Sequence, residues 1–330
     1  MESFTYLYML IICSQVSVHA VVLNGEQILQ KWVSFKSQHS KKYETEKEDA
    51  RRMKIYLDNV NKIIQHNELF EKGQATYQLG INQFSDLTTE EFAKVYLSKF
   101  HTNHNATKEF FTADFSLDNT PEDKDWVEEG KVTSVKNQRS CGSCWAFAVV
   151  ATIESHIAIN TGRLEDLSEQ DLVDCDDGSS GCDGGHEDTA FSYVERKGIA
   201  TEESYPYEAE QYSCRSGHSG ASITGYRSAW NEKEMKKVVG SIGPVSVAID
   251  CGDQIQNYES GIFVPESSDY YAGHAVMVVG YGTHADSGMD YWLVKNSWST
   301  SWGEDGYFKI VRNQDACGIS NSVYYPTGAR

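Results

Sequence analysis

Hydrophobic residues in the first third of the chain recur at the spacing of helices. Ile28, Trp32 and Phe35 occupy positions i, i+4 and i+7, which places them on one face of a helix. A second, longer stripe predicts another helix, which we expect to end near Gly73. The members of this stripe are Met53, Tyr56, Val60, Ile63 and Ile64.

A further helix is predicted by its start signal. Thr88 and Glu91 have the spacing of a capping box, in which each side chain bonds the backbone N–H of the other residue. Phe92 follows as the first apolar residue of the predicted helix. Residues 21–118 are therefore predicted to be mostly helical.

An apolar run in the middle of the chain predicts a helix that begins beside a cysteine. Its apolar residues are spaced four apart, as one helix face requires, and Gly162 suits its end. These residues are Trp145, Val149, Ile153 and Ile157. The thiol of Cys144 would lie at the helix N-terminus, where about half a positive charge favours the nucleophilic thiolate.

Short apolar runs in the last third of the chain predict strands. They are bounded by polar residues and glycines, and are rich in β-branched and aromatic residues. The runs are 245–249, 275–279, 291–294 and 307–311. The hydrophobic period therefore changes from helical to strand-like along the chain.

Size and charge narrow the class of protein. The 330 residues are 40% hydrophobic, which suffices for a core and for one to three domains. Residues 119–330 contain 33 acidic and 16 basic side chains. This excess argues against nucleic acid or an anionic membrane as a partner. It fits an acidic working compartment, and equally fits a merely acidic surface.

The first twenty residues resemble a secretory signal peptide. The stretch 6–13 is apolar, and Ala20 offers a small residue at the cleavage position, although Glu2 replaces the usual basic start. The apolar stretch is too short to span a bilayer, and no later stretch reaches that length. We therefore expect a product of the secretory pathway without a membrane span, in which paired cysteines persist as disulfides.

The segment Gln138–Phe147 contains Cys-Gly-Ser-Cys-Trp, with Cys144 as its second cysteine. It resembles the active-site segment of the papain family of cysteine proteases, whose His and Asn lie roughly 130–150 residues downstream. His274 and Asn296, which follow Cys144 by 130 and 152 residues, match that spacing. The residues around them, Gly280-Tyr281-Gly282 and Lys295-Asn296-Ser297-Trp298, match the family as well.

Two patterns in the leader resemble cathepsin L-like propeptides. One consists of Glu48, Arg52, Tyr56, Asn59, Ile63 and Asn67, and the other of Gly80, Asn82, Phe84 and Asp86. The resemblance implies a folded plug that runs backwards through the cleft and inhibits its own protease. Loss of affinity on protonation of carboxylates, Glu48 and Asp86 among them, is the hypothesis for its release.

The resemblance covers the chain from about residue 28 to 326 and implies three segments: signal peptide 1–20, inhibitory propeptide 21–118, and papain-like peptidase 119–330. The implied fold class is α+β, with a helical half, an antiparallel β-barrel half and a cleft between them. Asn105 lies in an N-glycosylation sequon within the polar stretch 101–118, the expected place of processing.

The resemblance also implies the catalytic roles. Cys144 is the nucleophile, His274 its ion-pair partner and acid, and Asn296 the group that orients the imidazole, with Trp298 covering that bond. Gln138 and the Cys144 backbone N–H would stabilise the oxyanion. The implied product is a zymogen of a cysteine endopeptidase that hydrolyses proteins and peptides through a thioester, without metal or organic cofactor.

The eight cysteines are consistent with one free thiol. Cys13 lies in the signal segment, which leaves an odd number. The family pattern implies Cys141–Cys182 and Cys175–Cys214. The usual partner of Cys317 is missing, so we predict a relocated bridge from Cys251 to Cys317. Otherwise both are free or bond elsewhere.

Substrate contacts are also implied by position. Glycines would line the S1 side, and His186 and Glu187 replace apolar residues of the S2 pocket. An acidic pocket would favour Arg or Lys at P2, whereas a solvent-facing Glu187 would leave the pocket apolar. The implied contact residues are Gly142, Gly184, Gly185, His186, Glu187, Ala248, Ala272, Ala275, Trp298 and Ser322. A monomer, inhibition by cystatin-type proteins, and a lysosomal or extracellular location complete the family expectation.

Alternatives and departures remain. Cys141 and Cys144 could instead form a thioredoxin-like redox pair or half of a zinc site, but no compact β-α-β pattern and no second close pair accompany them. A catalytically silent homologue that binds or stores proteins is the other alternative. Arg139 and Ser299 stand where the family has glycine, and Gly273 replaces Asp or Asn, which puts the rate and pH profile in question.

Overall fold

The computed structural model of the protein describes residues 25–97, 120–215, 220–265 and 273–330. Several expectations lie outside these ranges: the signal segment 1–20, Asn105 with the stretch 101–118, the boundary at Asn119, and Ala272. Seven α-helices and nine strands are found in the described ranges.

The N-terminal segment 25–97 consists of three helices and one short strand. These are α1 (Gly25–Gln38), α2 (Glu46–Glu71), β1 (Tyr77–Leu79) and α3 (Thr89–Tyr96). Trp32 and Phe35 of α1 pack against Tyr56 of α2, as the two stripes predict. Ile64 was expected in the stripe but is 51% exposed, because the helix turns it away from α1.

The predicted capping box is confirmed. The Thr88 hydroxyl accepts a bond from the Glu91 backbone N–H, and the Glu91 carboxylate accepts one from the Thr88 N–H. Both residues thereby satisfy N–H groups that a helix start leaves without partners. This cap fixes the start of α3, the helix that leads the chain to the site described below.

The second part of the chain is built around one interior helix. Its first elements are β2 (Lys124–Asp125), α4 (Cys144–Thr161), α5 (Glu169–Cys175) and α6 (Glu187–Lys197). Residues 144–158 of α4 are buried on every side, so the helix has no solvent face where one apolar stripe was expected. Gly162 ends α4 with a positive φ of 77°, as predicted.

A nine-stranded sheet forms most of the rest of the fold. The elements of this part of the chain are β3 (Gly225–Ser228), α7 (Glu232–Ser241), β4 (Val245–Ile249), β5 (Tyr258–Phe263), β6 (His274–Thr283), β7 (Asp290–Lys295), β8 (Tyr307–Val311) and β9 (Val323–Thr327). The strand order is β1-β5-β8-β7-β6-β4-β9-β3, and β2 pairs with β6. The pairs are antiparallel except β5 with β8, which are parallel. All four strand-like runs of the sequence lie in this sheet.

Two cores meet where α4 lies against β6. One core surrounds α4 and includes Trp145 and Phe191, and the other lies beneath the sheet and includes Trp292 and Phe308. Ala275 of β6 packs into the core around α4. The start of β6 and the start of α4 are thereby brought to the boundary between the halves.

Candidate active site

Cys144 is the first residue of α4 and is fully buried. Among the described residues it is the cysteine that forms no disulfide. The helix dipole favours the negative charge of a thiolate at this position. The side chain of the preceding residue, Ser143, makes no capping bond to the helix.

His274 begins β6 and is held from two directions. Its Nε2 lies 2.7 Å from Oδ1 of Asn296, the residue that follows β7. The indole of Trp298 stacks on the imidazole, with ring centroids 4.5 Å apart. Because Asn296 takes Nε2, the other ring nitrogen, Nδ1, is left without a hydrogen-bond partner. The imidazole therefore has a fixed orientation and one nitrogen available for chemistry.

Burial decides the protonation of His274 in this state. The ring is fully buried, and desolvation lowers its pKa to about 4, although the bond to Asn296 acts in the opposite direction. This buried imidazole is thus neutral at ordinary pH. Asn296 is itself fixed by the bond from its N–H to the carbonyl oxygen of Gly306, 3.0 Å away.

Gln138 presents its amide nitrogen to the site because its amide oxygen is occupied. Oε1 accepts bonds from the Ser297 hydroxyl at 2.7 Å and from the Trp298 indole N–H at 3.0 Å. Nε2 then donates to the Cys141 carbonyl at 2.9 Å and to the Tyr96 carbonyl at 3.0 Å. Tyr96 belongs to the N-terminal segment, so a carbonyl of that segment already occupies an amide N–H of Gln138.

The N-terminal segment covers the site. Leu97 lies beside His274, since a Cβ added to Gly252 would meet the side chains of both within 3 Å. A Cβ added to Gly142 would lie 3.7 Å from the Leu97 carbonyl oxygen and 2.6 Å from that of Cys182. The lack of a side chain at Gly142 therefore leaves room for a neighbouring chain.

Further contacts attach this segment beside the site and at the sheet edge. Phe84 and Phe92 meet the Trp298 ring edge to face, at 5.5 and 5.1 Å. The Asn82 side chain donates to the Gln256 carbonyl, and strand β1 pairs with β5. The segment thus adds a strand to the sheet and a helix over the indole that covers His274.

Several residues expected to contact substrate lie together. Ala248 of β4 and Ala275 of β6 are paired across the two strands, and the Ala248 N–H bonds the Ser322 carbonyl. Glu187 is 3% exposed, whereas His186 is exposed.

Tyr324 links Glu187 to this group. Burial raises the pKa of its phenol, and the negative charges of Asp188 and then Glu187 raise it further, whereas a bond to Ser322 opposes the shift. Glu187 therefore lies close enough to Tyr324 to interact with it, and Tyr324 bonds Ser322.

Three glycines were expected to line the cleft. Gly184 has a φ of 121°, and a Cβ added to Gly185 would come within 2.5 Å of the Trp145 ring. Glycine is therefore required at these two positions, as it is at Gly142.

The six other described cysteines form three disulfides. They are Cys141–Cys182, Cys175–Cys214 and Cys251–Cys317, with Cα atoms 4.6, 4.7 and 5.4 Å apart. These distances are normal for disulfides. The first bridge holds the loop before Cys144 against the loop at Gly184, on the side of the cleft where Gly142 lies.

A buried charge cluster supports the loop that carries Gln138. Lys136 donates to Glu154 of α4 at 3.0 Å, to Glu169 of α5 at 2.9 Å and to Asp166 at 2.6 Å. These carboxylates raise the pKa of Lys136, and burial raises that of Glu169. Burial also lowers the pKa of Lys295, at the end of β7, to about 8.

Two residues to which sequence reasoning assigned no role hold Gln138 in place. Ser297 orients Gln138, and Tyr207 donates its hydroxyl to the Gln138 carbonyl, 2.8 Å away. The matched segment 295–298 contains Ser297 without assigning it a role, and no local pattern identifies Tyr207, because the partners of both residues are distant in sequence. Arg139 and Ser299 have positive φ values of 49° and 71°, the conformation for which the family uses glycine.

Neither a metal-binding cluster nor a membrane-spanning helix is found among the described residues. No group of three or more His, Cys, Asp or Glu side chains there is placed to hold a metal ion. Within the same ranges, no helix has the length and apolar character needed to cross a membrane.

Comparison with known families and structures identifies the chain. Residues 120–327 match the papain family of cysteine proteases, and residues 32–92 match the cathepsin propeptide inhibitor domain. Cathepsin L of Sarcophaga peregrina is 44% identical over 91% of this chain and 93% of that protein. Procathepsin L of Rattus norvegicus is 42% identical, over 89% of this chain and 91% of that protein.

Solved structures agree. The digestive procathepsin L 3 of Tenebrio molitor larval midgut is 41% identical with a TM-score of 0.82, covering 91% of this chain and 99% of that chain. The helices over the cleft correspond to the match to the inhibitor domain. Cys144, the His274–Asn296 pair and the segment that covers them are thus parts of one site. This chain is a cathepsin L-like member of the papain family of cysteine proteases, and it contains the propeptide inhibitor domain.

Proposed function

We propose that the processed enzyme is an endopeptidase whose catalytic residues are Cys144, His274, Asn296 and Gln138. The Cys144 thiolate attacks the scissile carbonyl carbon, and the His274 imidazolium gives its proton to the leaving amine. The resulting thioester is hydrolysed by water, which returns a proton to His274 and releases a carboxylic acid. The side-chain N–H of Gln138 and the backbone N–H of Cys144 bind the oxyanion.

The observation that carries this proposal is the fixed imidazole. Asn296 holds Nε2 of His274 beneath the Trp298 indole, which leaves Nδ1 as the nitrogen that can exchange a proton. An oriented imidazole at the start of β6 and a buried thiol at the start of α4, which packs on β6, provide the two groups that a thiolate–imidazolium pair requires. The silent homologue gains no support from this site.

The propeptide inhibits by occupation and by excluding water. Its Tyr96 carbonyl takes the amide N–H of Gln138 that would bind the oxyanion, and Leu97 lies beside His274. Under this cover the pKa of His274 is about 4, so the imidazolium is disfavoured. We expect removal of the propeptide to return water to the ring and raise this pKa.

We propose processing near Asn119, with 1–20 as signal peptide, 21–118 as propeptide and 119–330 as protease. The family matches at residues 32–92 and 120–327 support these limits. A product of the secretory pathway, lysosomal or extracellular, follows from the leader and is compatible with three disulfides. Glycosylation of Asn105, a monomeric state and inhibition by cystatin-type proteins are further proposals from the family resemblance.

We further propose that Glu187 gives the enzyme a preference for Arg or Lys at P2. Glu187 is buried, its charge acts on Tyr324, and Tyr324 bonds Ser322, which is among the residues expected to form the S2 pocket. Peptide substrates that differ only at P2 test this, with Glu187→Gln as the matched variant that removes charge alone. We expect the ratio of kcat/KM for Arg over Leu to fall about tenfold in the variant. A strong Leu or Phe preference in the natural enzyme would exclude the idea.

The first test of function is labelling of the acid-processed protein with an epoxide that alkylates cysteine-protease thiolates, with Cys144→Ala as control. We expect labelling of the natural enzyme alone, together with hydrolysis of a small peptide substrate. A folded, processed enzyme that is neither labelled nor active would contradict the proposal and return the silent homologue to consideration.

A further inference from the structure

Arg139 occupies an unusual backbone conformation directly beside Gln138. Its φ of 49° lies in the left-handed region, which residues with a Cβ adopt only at a cost. Its N–H bonds the Asn137 side chain at 2.9 Å, which supports the turn locally. Because such strain persists only where the surroundings enforce it and often marks a functional position, the contacts of the Arg139 side chain are informative.

The Arg139 side chain holds one tyrosine. Its Nη2 donates to the backbone carbonyl of Tyr207 at 2.7 Å, and its guanidinium lies 5.4 Å from the centre of the Tyr207 ring. These two contacts restrain both the backbone and the ring of the same residue. A glycine at position 139 would suit the backbone but could make neither contact.

Tyr207 in turn joins the two residues that set the proposed oxyanion donors. Its hydroxyl lies 2.8 Å from the Gln138 carbonyl and 2.7 Å from the Ser143 hydroxyl. Since a carbonyl can only accept, the phenol proton goes to Gln138, and Ser143 donates to the phenol oxygen. Burial raises the pKa of Tyr207, so the phenol keeps this proton. Its ring also meets Phe147 of α4 edge to face at 4.8 Å.

We propose that Arg139 is a positioning residue for the oxyanion hole and acts through Tyr207. One donor of the hole is the side chain of Gln138, and the other is the backbone N–H of Cys144, which follows Ser143. Tyr207 therefore spans the two, and Arg139 fixes Tyr207. This inference rests on the proposed function, in which those two N–H groups bind the oxyanion.

The expected consequence is a loss in the chemical step and not in substrate binding. Donors in an oxyanion hole act by being already aimed at the place where charge develops. Loosening the link between them weakens the transition state more than the ground state, and this lowers kcat while KM changes little. If Arg139 only adopted the strained turn and positioned nothing, its replacement would not lower kcat in this way.

The decisive variant is Arg139→Gly in the processed enzyme. Glycine relieves the left-handed strain, so we expect the thermal midpoint to stay equal or rise, while kcat falls about tenfold per titrated active site. The kcat of Arg139→Lys should lie between those of the natural enzyme and Arg139→Gly, because lysine keeps the charge but lacks the planar guanidinium. Arg215→Gly is the matched control, because Arg215 stacks 4.0 Å over Tyr205 of the same loop without touching Gln138 or Ser143.

Two further readouts separate positioning from a general defect. The affinity of a peptide aldehyde, whose hemithioacetal oxygen occupies the hole, should fall by the same factor as kcat. Alkylation of Cys144 by iodoacetamide does not use the oxyanion hole. Its rate in Arg139→Gly should therefore equal that of the natural enzyme at every pH. Tyr207→Phe should also lower kcat, and combining it with Arg139→Gly should add little, because both break one linkage.

The outcomes are distinguishable from failure of the proposed function. Wild-type kcat and aldehyde affinity in Arg139→Gly would overturn the inference. Gln138→Ala tests the hole itself and should lower kcat about 10²-fold. If that variant also keeps wild-type kcat, the proposed oxyanion role fails together with the inference. If only Gln138→Ala loses activity, the hole stands and the role of Arg139 does not.

Discussion

The attachment of the propeptide to the enzyme is tested most directly at Phe92. This residue of α3 is fully buried and packs against Phe84 at 5.0 Å, Tyr96 at 5.4 Å and Trp298 at 5.1 Å. Of these three rings only Trp298 belongs to the protease. Phe92→Ala therefore removes a contact that holds α3 on the indole above His274, and it leaves the sequence of the processed enzyme unchanged.

The size of the effect follows from this division of contacts. Replacing a buried Phe by Ala costs about 3–5 kcal/mol. Two of the three ring partners lie within the propeptide, so about two thirds of that cost weakens the propeptide itself. About 1.3 kcal/mol of binding free energy between propeptide and enzyme is then lost, and this raises the fraction of zymogen with an open site about tenfold.

The assay is the initial rate at which a small epoxide labels Cys144 in the intact zymogen at neutral pH. We expect this rate to rise about tenfold in Phe92→Ala. Leu69→Ala is the matched control, because Leu69 lies on α2 of the same propeptide and is 43% exposed. The processed enzymes from all three zymogens should have identical kcat and KM. Equal labelling of Phe92→Ala and Leu69→Ala would refute the reasoning.

Two stability predictions concern buried ionisable groups, each measured by urea unfolding of the zymogen carrying Cys144→Ala. Lys136→Met leaves Glu154 and Glu169 without their buried cation and should lower the free energy of unfolding by about 3–5 kcal/mol; an unchanged value would contradict this. Burial lowers the pKa of His156 to about 4, below the ordinary value of 6.5, so the unfolded chain binds its proton first as pH falls. The stability it provides is present above pH 6.5 and lost towards pH 4, by about 3 kcal/mol. His156→Gln should flatten that slope, and an equally steep one would count against the assignment.

Periodic and local signals predicted much of the helical structure. The stripes that contain Trp32 and Tyr56 give packed helices, and the cap at Thr88 begins α3, because each depends on residues only three or four positions apart. The same logic failed at Ile64, which is adjacent to the buried Ile63 but points to solvent. Two neighbouring apolar residues cannot both lie at the centre of one helix face.

The site could be predicted by motif but not by geometry. The family resemblance implies the role of Gln138, yet its orientation depends on Ser297 and Trp298, about 160 residues further along the chain. Tyr207, which bonds the Gln138 carbonyl, has no pattern that connects it with the motif. Bonds of this kind become visible only when the fold brings distant segments together.

Trp298 connects inhibition with catalysis in one side chain. Its ring stacks on His274, its N–H bonds the Gln138 amide oxygen, and its edge-to-face contacts receive the propeptide. The indole must be held rigidly to serve the first two roles, and a rigid apolar surface beside the cleft is also what a folded inhibitor can recognise. The propeptide therefore binds a surface that the enzyme cannot alter without disturbing its own imidazole and amide. This explains physically how inhibition can depend on a residue that catalysis already requires.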